Sequence, residues 1–107
     1  MNVSSIGGHT VFPTSAVYCA TKFAVVAITE GLRMETTKVR ATTLSPGVTE
    51  SELASTITDE DSAAAMRDFR RVAIPASAIA EAIAWATAQP SAIDVSEIIV
   101  RPTASPY

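Results

Sequence analysis

Residues 2–22 read NVSSIGGHTVFPTSAVYCATK and pass from the end of a strand, through a loop, into a long helix. The first residues are short and partly β-branched, and a Gly-Gly pair followed by Pro13 marks the loop. Over residues 16–36 apolar side chains recur at three- and four-residue steps, which is the period of an amphipathic helix. The apolar stripe is broad, so this helix is predicted to be covered on more than one side.

Downstream, the pattern predicts a strand over residues 39–44, a polar segment with one or two short helices over 52–72, a helix over 76–88 and a strand over 97–101. Ser45-Pro46-Gly47 is expected to end the middle strand sharply, because Pro lacks the N–H that a ladder needs. Strands that alternate with helices predict an α/β fold, with a narrow parallel sheet joined by right-handed crossovers and one exposed edge.

The composition limits the classes of function. The chain has 107 residues, 48% hydrophobic content, a net charge of -3 and a pI near 5.0, which fit one small domain and argue against a nucleic-acid-binding surface. A single cysteine excludes an intramolecular disulfide and a cysteine-based zinc site, and one histidine cannot build a metal site. No apolar run approaches the ~20 residues of a membrane span, and no secretory signal is visible, so no membrane partner and a cytoplasmic location are predicted.

Tyr18 and Lys22 are four residues apart, which places both side chains on one face of the predicted helix. A phenol ordinarily titrates near ~10, and a neighbouring ammonium favours the phenolate, which brings tyrosine into range for acid–base chemistry. Taken alone, the same spacing also describes an exposed pair of solvated side chains in a binding domain with no catalytic role. The neighbouring motifs favour the first interpretation.

Ser5 stands thirteen positions before Tyr18 at the end of a strand, and Ser45-Pro46-Gly47 follows the next strand. Together with Tyr18-x-x-x-Lys22, these motifs make the chain resemble the short-chain dehydrogenase/reductase family over nearly its whole length. The resemblance implies a partial Rossmann-like, doubly wound parallel sheet, made of the C-terminal strands and helices only. It also implies hydride transfer between NAD(P)(H) and a small carbonyl or alcohol substrate, with NADP favoured over NAD.

The resemblance also assigns roles to residues. Tyr18 would be the general acid or base, Lys22 would hold the nicotinamide ribose and favour the phenolate, and Ser5 would donate a hydrogen bond to the substrate oxygen. Cofactor contacts are expected from Tyr18 and Lys22 and from the segment after the middle strand, at Pro46, Gly47, Val48, Thr49 and Ser51. Leu53, in the segment that covers the substrate in the family, is expected to line the pocket, and His9 is expected at the surface or the substrate rim.

The family's phosphate-binding glycine motif is not among the four glycines of this sequence. Residues 1–107 are therefore expected to be the C-terminal portion of a single NAD(P)-binding Rossmann-like domain, with the N-terminal half absent. This leaves two interpretations open: an oxidoreductase, or a truncated and catalytically inactive fragment that keeps only an assembly surface. A homo-oligomer formed through the helix that bears Tyr18 and Lys22 is expected in either case.

Overall fold

The computed structural model describes residues 1–107, apart from the side chains of Leu53 and Ala54, so the role predicted for Leu53 lies outside the described residues. One three-stranded parallel sheet has the order β1 (Asn2–Val3), β2 (Thr43–Pro46) and β3 (Glu97–Val100). The helices are α1 (Ala16–Glu35), α2 (Glu60–Arg70) and α3 (Ala76–Thr87), with 3₁₀ turns at Ile6–Gly8 and Leu53–Thr56. The predicted α/β class is confirmed.

The middle strand lies later in the chain than the sequence predicts. Thr43 is opposite both Asn2 of β1 and Glu97 of β3, so the paired positions of β2 begin there. Just before it, the carbonyl of Thr42 accepts from the N–H of Asn2 at 2.9 Å. The side chain of Arg40 instead donates to the carbonyl oxygens of Gln89 and Ile93, at 2.9 and 3.1 Å, beyond the end of α3. The β-branched pattern of residues 39–44 therefore includes an exposed start, at Val39 and Arg40, and a buried approach, at Ala41 and Thr42, as well as the strand itself.

Polar contacts hold α1 against the sheet. The amide of Asn2 donates to the hydroxyl of Thr29 at 2.9 Å, and that hydroxyl donates to the carbonyl of Val25 at 2.8 Å. Thr29 and Cys19 on α1 are almost completely buried, as are Leu44 and Ser45 on β2. Because these buried hydroxyls are hydrogen-bonded, the helix can approach the strands closely without leaving polar atoms unsatisfied.

The two long helices cover opposite faces of the sheet. Thr43 lies beside Asn2, whose side chain bonds to Thr29 of α1, so both of these strand residues face α1. Thr42 faces the other way and lines a cavity of about 250 Å³ together with Ala86 of α3. The sheet is therefore doubly wound, as predicted. The connection from β1 to β2 through α1 and the connection from β2 to β3 through α3 step in the same direction across the sheet. Because their helices lie on opposite faces, the two crossovers have opposite hands. The prediction that both are right-handed is therefore wrong for one of them.

Arg33 fastens the end of α1 to the start of the sheet. Its guanidinium donates to the carbonyl of Ala41, to the carbonyl of Ser96 at 2.9 Å and to the carboxylate of Asp94 at 3.2 Å. The Arg33 side chain is only 20% exposed. The guanidinium thus adds a charged donor to the carbonyl groups just before β2 and β3, of which that of Ser96 also accepts from the N–H of Thr43 at 3.0 Å.

Replacing Arg33 with methionine is expected to lower the free energy of unfolding by about 1–3 kcal/mol, because two carbonyl groups lose a charged donor. The measurement is urea denaturation followed by circular dichroism. Arg71→Met is the matched control, since the Arg71–Asp68 pair has side chains 80% and 75% exposed, and a change within about 0.5 kcal/mol is expected there. Equal effects of the two substitutions would contradict the anchoring role.

Helix α2 begins at a well-formed cap. The carboxylate of Asp59 accepts a hydrogen bond from the backbone N–H of Ser62 at 2.8 Å. Hydrogen bonding to Ser62 holds the pKa of the Asp59 carboxyl below its usual value. Acidic residues in the first turn and arginines in the last turn complement the helix dipole. The polar segment therefore forms one regular helix after the short 3₁₀ turn.

Candidate active site

The adjacent serines at the end of β1 have different surroundings. Ser4 is buried, and its hydroxyl donates to the carbonyl of Lys22 at 2.8 Å, which ties α1 to the strand. Ser5 begins the 3₁₀ turn, where its hydroxyl oxygen accepts from the N–H of Gly7 at 3.0 Å. A hydroxyl that accepts one hydrogen bond still has its own proton to donate. Ser5 is therefore the serine with a donor left for a ligand, whereas the proton of Ser4 is used within the fold.

Gly7 brings Ser5 and Tyr18 to the same small space. A Cβ atom placed on Gly7 would lie 3.0 Å from Cε1 of the Tyr18 ring and 3.5 Å from the Ser5 hydroxyl oxygen. The hydroxyl and the ring thus both border the space beside Gly7, which an added methyl group would fill. Ser5, at a strand end, and Tyr18, on a helix, therefore lie close together.

Tyr18 and Lys22 share one face of α1, as their spacing predicts. The Nζ atom of Lys22 lies 5.8 Å from the centroid of the Tyr18 ring, within the range in which a cation interacts with an aromatic face. Tyr18 is 42% exposed, so its ring is open to a ligand from solvent. The Tyr18 phenol, the Lys22 ammonium and the Ser5 hydroxyl therefore lie near one another at the start of α1. Together they form a set of donors suited to proton transfer.

The segment after β2 lies at the same edge of the sheet as Ser5, because both follow the carboxyl ends of parallel strands. At Gly47 the backbone runs against the next strand: a Cβ there would lie 2.7 Å from Cβ of Arg101, and the Gly47 N–H donates to Val100 at 2.7 Å. The hydroxyl of Thr49 donates to the Gly47 carbonyl at 3.1 Å. This closely packed turn fixes where the following residues begin.

Beyond the turn, the backbone pairs with Ile74 instead of approaching Tyr18. The carbonyl of Val48 accepts from the N–H of Ile74 at 3.1 Å, and the N–H of Glu50 donates back at 2.9 Å. Ser51 is exposed. Within the part of the chain that the structure describes, no hydrogen bond or ion pair joins residues 46–51 to Tyr18 or Lys22. The predicted cofactor residues thus form two groups at one sheet edge, with no direct bond between them.

His9 makes contacts that the sequence did not reveal. It lies directly after the 3₁₀ turn, and its Nε2 atom is 3.0 Å from the hydroxyl of Ser45 and 2.9 Å from a carboxylate oxygen of Glu97. The side chain is 31% exposed, which agrees with the expected surface position. No local pattern could predict these partners, because they come from two distant strands.

The described residues offer neither a metal site nor a membrane-spanning helix. They contain no group of three or more histidine, cysteine, aspartate or glutamate side chains placed to hold a metal ion. Among them, no helix combines the length and the apolar character needed to cross a membrane. The cluster of Ser5, Tyr18 and Lys22 is therefore the candidate active site.

Known proteins resemble this chain in sequence and in fold. An uncharacterized oxidoreductase of Staphylococcus saprophyticus is 46% identical over 107 residues, covering 96% of this chain and 44% of that protein. The human dehydrogenase/reductase SDR family member 11 is 38% identical over 110 residues, covering 96% of this chain and 42% of that protein. A structure of serine dehydrogenase in its closed form with NADP+ superposes with a TM-score of 0.86 at 24% identity, covering 99% of this chain and 44% of that one.

This chain thus spans less than half the length of the curated relatives that it matches. The family model for short chain dehydrogenases matches residues 1–62, which include β1, α1 and β2 with Ser5, Tyr18 and Lys22. The model covers more than half of the chain, and the resemblance inferred from the motifs is confirmed. The chain belongs to the short-chain dehydrogenase family.

Proposed function

We propose that this chain carries the acid–base site of an oxidoreductase that moves hydride between NAD(P)(H) and a small carbonyl or alcohol substrate. The observation that carries the proposal is the meeting of three groups: the Ser5 hydroxyl and the Tyr18 ring border one small space, and the Lys22 ammonium lies 5.8 Å from that ring. Family membership supports the same chemistry.

In the proposed reaction, the Tyr18 phenol donates its proton to the carbonyl oxygen during reduction and takes it back from the alcohol during oxidation. The Lys22 ammonium stabilises the phenolate by its charge. The Ser5 hydroxyl, already oriented by the Gly7 N–H, donates to the substrate oxygen as negative charge develops there. The bound cofactor supplies or accepts the hydride.

The residues of this chain suit the nicotinamide end of the cofactor. Lys22 can reach ribose hydroxyls from α1, and the turn at Pro46 and Gly47 brings the backbone of Val48 and Thr49, and the hydroxyl of Ser51, to the same sheet edge. The pyrophosphate end requires a glycine-rich turn before a helix, and that motif is not in this sequence. The residues of this chain therefore suit the nicotinamide end of the cofactor and not its pyrophosphate.

This partial fit supports a proposal for the domain: residues 1–107 correspond to the C-terminal portion of one NAD(P)-binding Rossmann-like domain. The NADP+ bound by the structural relative supports NADP as the preferred cofactor. A cytoplasmic location is proposed with this function.

The alternative function is an inactive chain that keeps an assembly surface. It is favoured by the outward side chains of α1, where Val17 is 81%, Ile28 66% and Leu32 42% exposed. Exposed apolar side chains on one helix are typical of a protein–protein contact. We propose that α1 packs against a second copy of this chain, in either the active or the inactive case.

Titration of the 107-residue chain with NADPH in a calorimeter, followed by an assay of NADPH oxidation with a panel of small carbonyl compounds, separates the two functions. The proposed oxidoreductase predicts saturable heat at millimolar cofactor together with turnover. Absence of heat at millimolar NADPH, in a sample that light scattering shows to be dimeric, would contradict catalysis by this chain and support the assembly function.

A further inference from the structure

We propose that His9 is a positioning residue for Ser5: as the Nε2–H tautomer, it ties the turn that carries Ser5 to strands β2 and β3. The inference rests on the proposed function only for the catalytic role given to Ser5. The other part of the proposal, that His9 holds the turn in place, depends only on the geometry.

The backbone of His9 is part of this turn. The backbone N–H of His9 donates to the carbonyl of Ile6 at 2.9 Å and so closes the 3₁₀ turn that Ser5 begins. On the α1 side, Gly8 already packs against the backbone of Lys22. The contacts of His9 with Ser45 and Glu97 supply the opposite support, from the sheet.

The distances place a hydrogen on Nε2 of His9. An ionised carboxylate has no proton to give, so a contact of 2.9 Å between Nε2 of His9 and the oxygen of Glu97 requires a hydrogen on Nε2. The hydroxyl oxygen of Ser45, at 3.0 Å, is then a second acceptor for the same hydrogen. The opposite tautomer would place two electron-rich atoms against each other.

Through Ser45, the same contact reaches the cofactor side of the site. Ser45 is fully buried in β2 and directly precedes Pro46 and Gly47. His9 therefore links the turn that holds the Ser5 hydroxyl to the strand end from which the proposed nicotinamide segment starts. A displacement of His9 would change the relative position of the two groups of site residues.

The tautomer can be read without ambiguity, because His9 is the only histidine in the chain. A long-range proton–nitrogen correlation spectrum of the ¹⁵N-labelled 107-residue protein at neutral pH is expected to show a protonated Nε2 and an unprotonated Nδ1. In Glu97→Gln, the side-chain amide can donate to the ring, so the population is expected to shift toward Nδ1–H. A wild-type protein with Nδ1–H as its major form would overturn the proposal.

The positioning role is tested by hydrogen exchange at the Gly7 amide, which donates to Ser5. His9→Ala is expected to speed this exchange on the order of tenfold, as loss of a hydrogen bond to a charged group implies. His9→Gln keeps a donor and is expected to restore the rate to within about threefold. Exchange at Leu44, in the core of the sheet, reports global unfolding, so a change at Gly7 larger than that at Leu44 marks a local effect on the turn.

Unchanged Gly7 exchange in His9→Ala, or equal rates in the Ala and Gln variants, would overturn the positioning role. Should His9→Ala fail to fold, the Gln variant and Glu97→Gln still give a decisive comparison. Failure of NADPH binding would contradict the proposed function without affecting these measurements, so the two failures can be told apart.

Discussion

Replacing Tyr18 with phenylalanine is expected to lower the rate of NADPH oxidation by the chain by about 10²–10⁴-fold, because the substitution removes the only atom proposed to carry the proton. The ring itself stays, so the contact with Gly7 and the Lys22 ammonium beside the ring are retained. Cofactor affinity should therefore change by no more than about threefold, since only one hydroxyl contact is at stake. Steady-state kinetics and calorimetry on the same preparation measure both quantities.

Tyr107→Phe is the matched control for this experiment. Tyr107 is the other tyrosine of the chain and is similarly exposed, at 48% against 42% for Tyr18. Its ring packs edge-on against Phe12 and Phe69, with centroids 4.9 and 6.1 Å away, contacts that do not require the hydroxyl. Turnover close to the wild-type rate is expected. If Tyr18→Phe retained turnover, Tyr18 would have no role as the general acid.

Replacing Gly8 with alanine is expected to lower the free energy of unfolding by about 1–3 kcal/mol, the usual cost of overpacking. The added Cβ would lie 2.6 Å from the Ser4 hydroxyl and 3.0 Å from the carbonyl of Lys22. Neither neighbour can yield easily, because these two atoms are hydrogen-bonded to each other at the point where α1 meets the strand. The helix must move outward, and the proposed catalytic groups on it are expected to move too, so turnover should fall as well.

Gly31→Ala, within α1, is expected to give the opposite result. A Cβ on Gly31 meets nothing within 4 Å, so alanine adds helix propensity without a clash and is expected to stabilise the fold by about 0.5–1 kcal/mol. Urea denaturation of the two variants measures the contrast. A Gly8→Ala protein as stable as Gly31→Ala would show that the close contact between the turn and α1 is not a constraint.

The sequence predicted the elements whose pattern is local. The start of α1, the one-face placement of Tyr18 and Lys22, and the end of that helix within one residue of the prediction all follow from periodicity over adjacent turns. Spacing along the chain pointed to Ser5, and the buried hydrogen bond of the adjacent Ser4 shows that the proton of that serine is used within the fold.

The features that sequence reasoning missed depend on distant partners. The first residue of β2 depends on where β1 and β3 start. The opposite hands of the crossovers depend on which face of the sheet α3 covers. The partners of His9 lie on β2 and β3. Gly7 and Gly8 read as ordinary loop glycines, although close approach to α1 determines both. Such contacts leave no periodic signal in any single segment.

The most direct test of a shared site for Ser5, Tyr18 and Lys22 is a titration of the ¹⁵N-labelled chain with millimolar NADPH, followed amide by amide. The largest chemical-shift changes are predicted at Gly7, Tyr18, Lys22 and residues 47–49, on one edge of the sheet. Changes concentrated instead around Thr42 and Ala86, which line the cavity at the opposite edge, or no changes at all, would contradict the account.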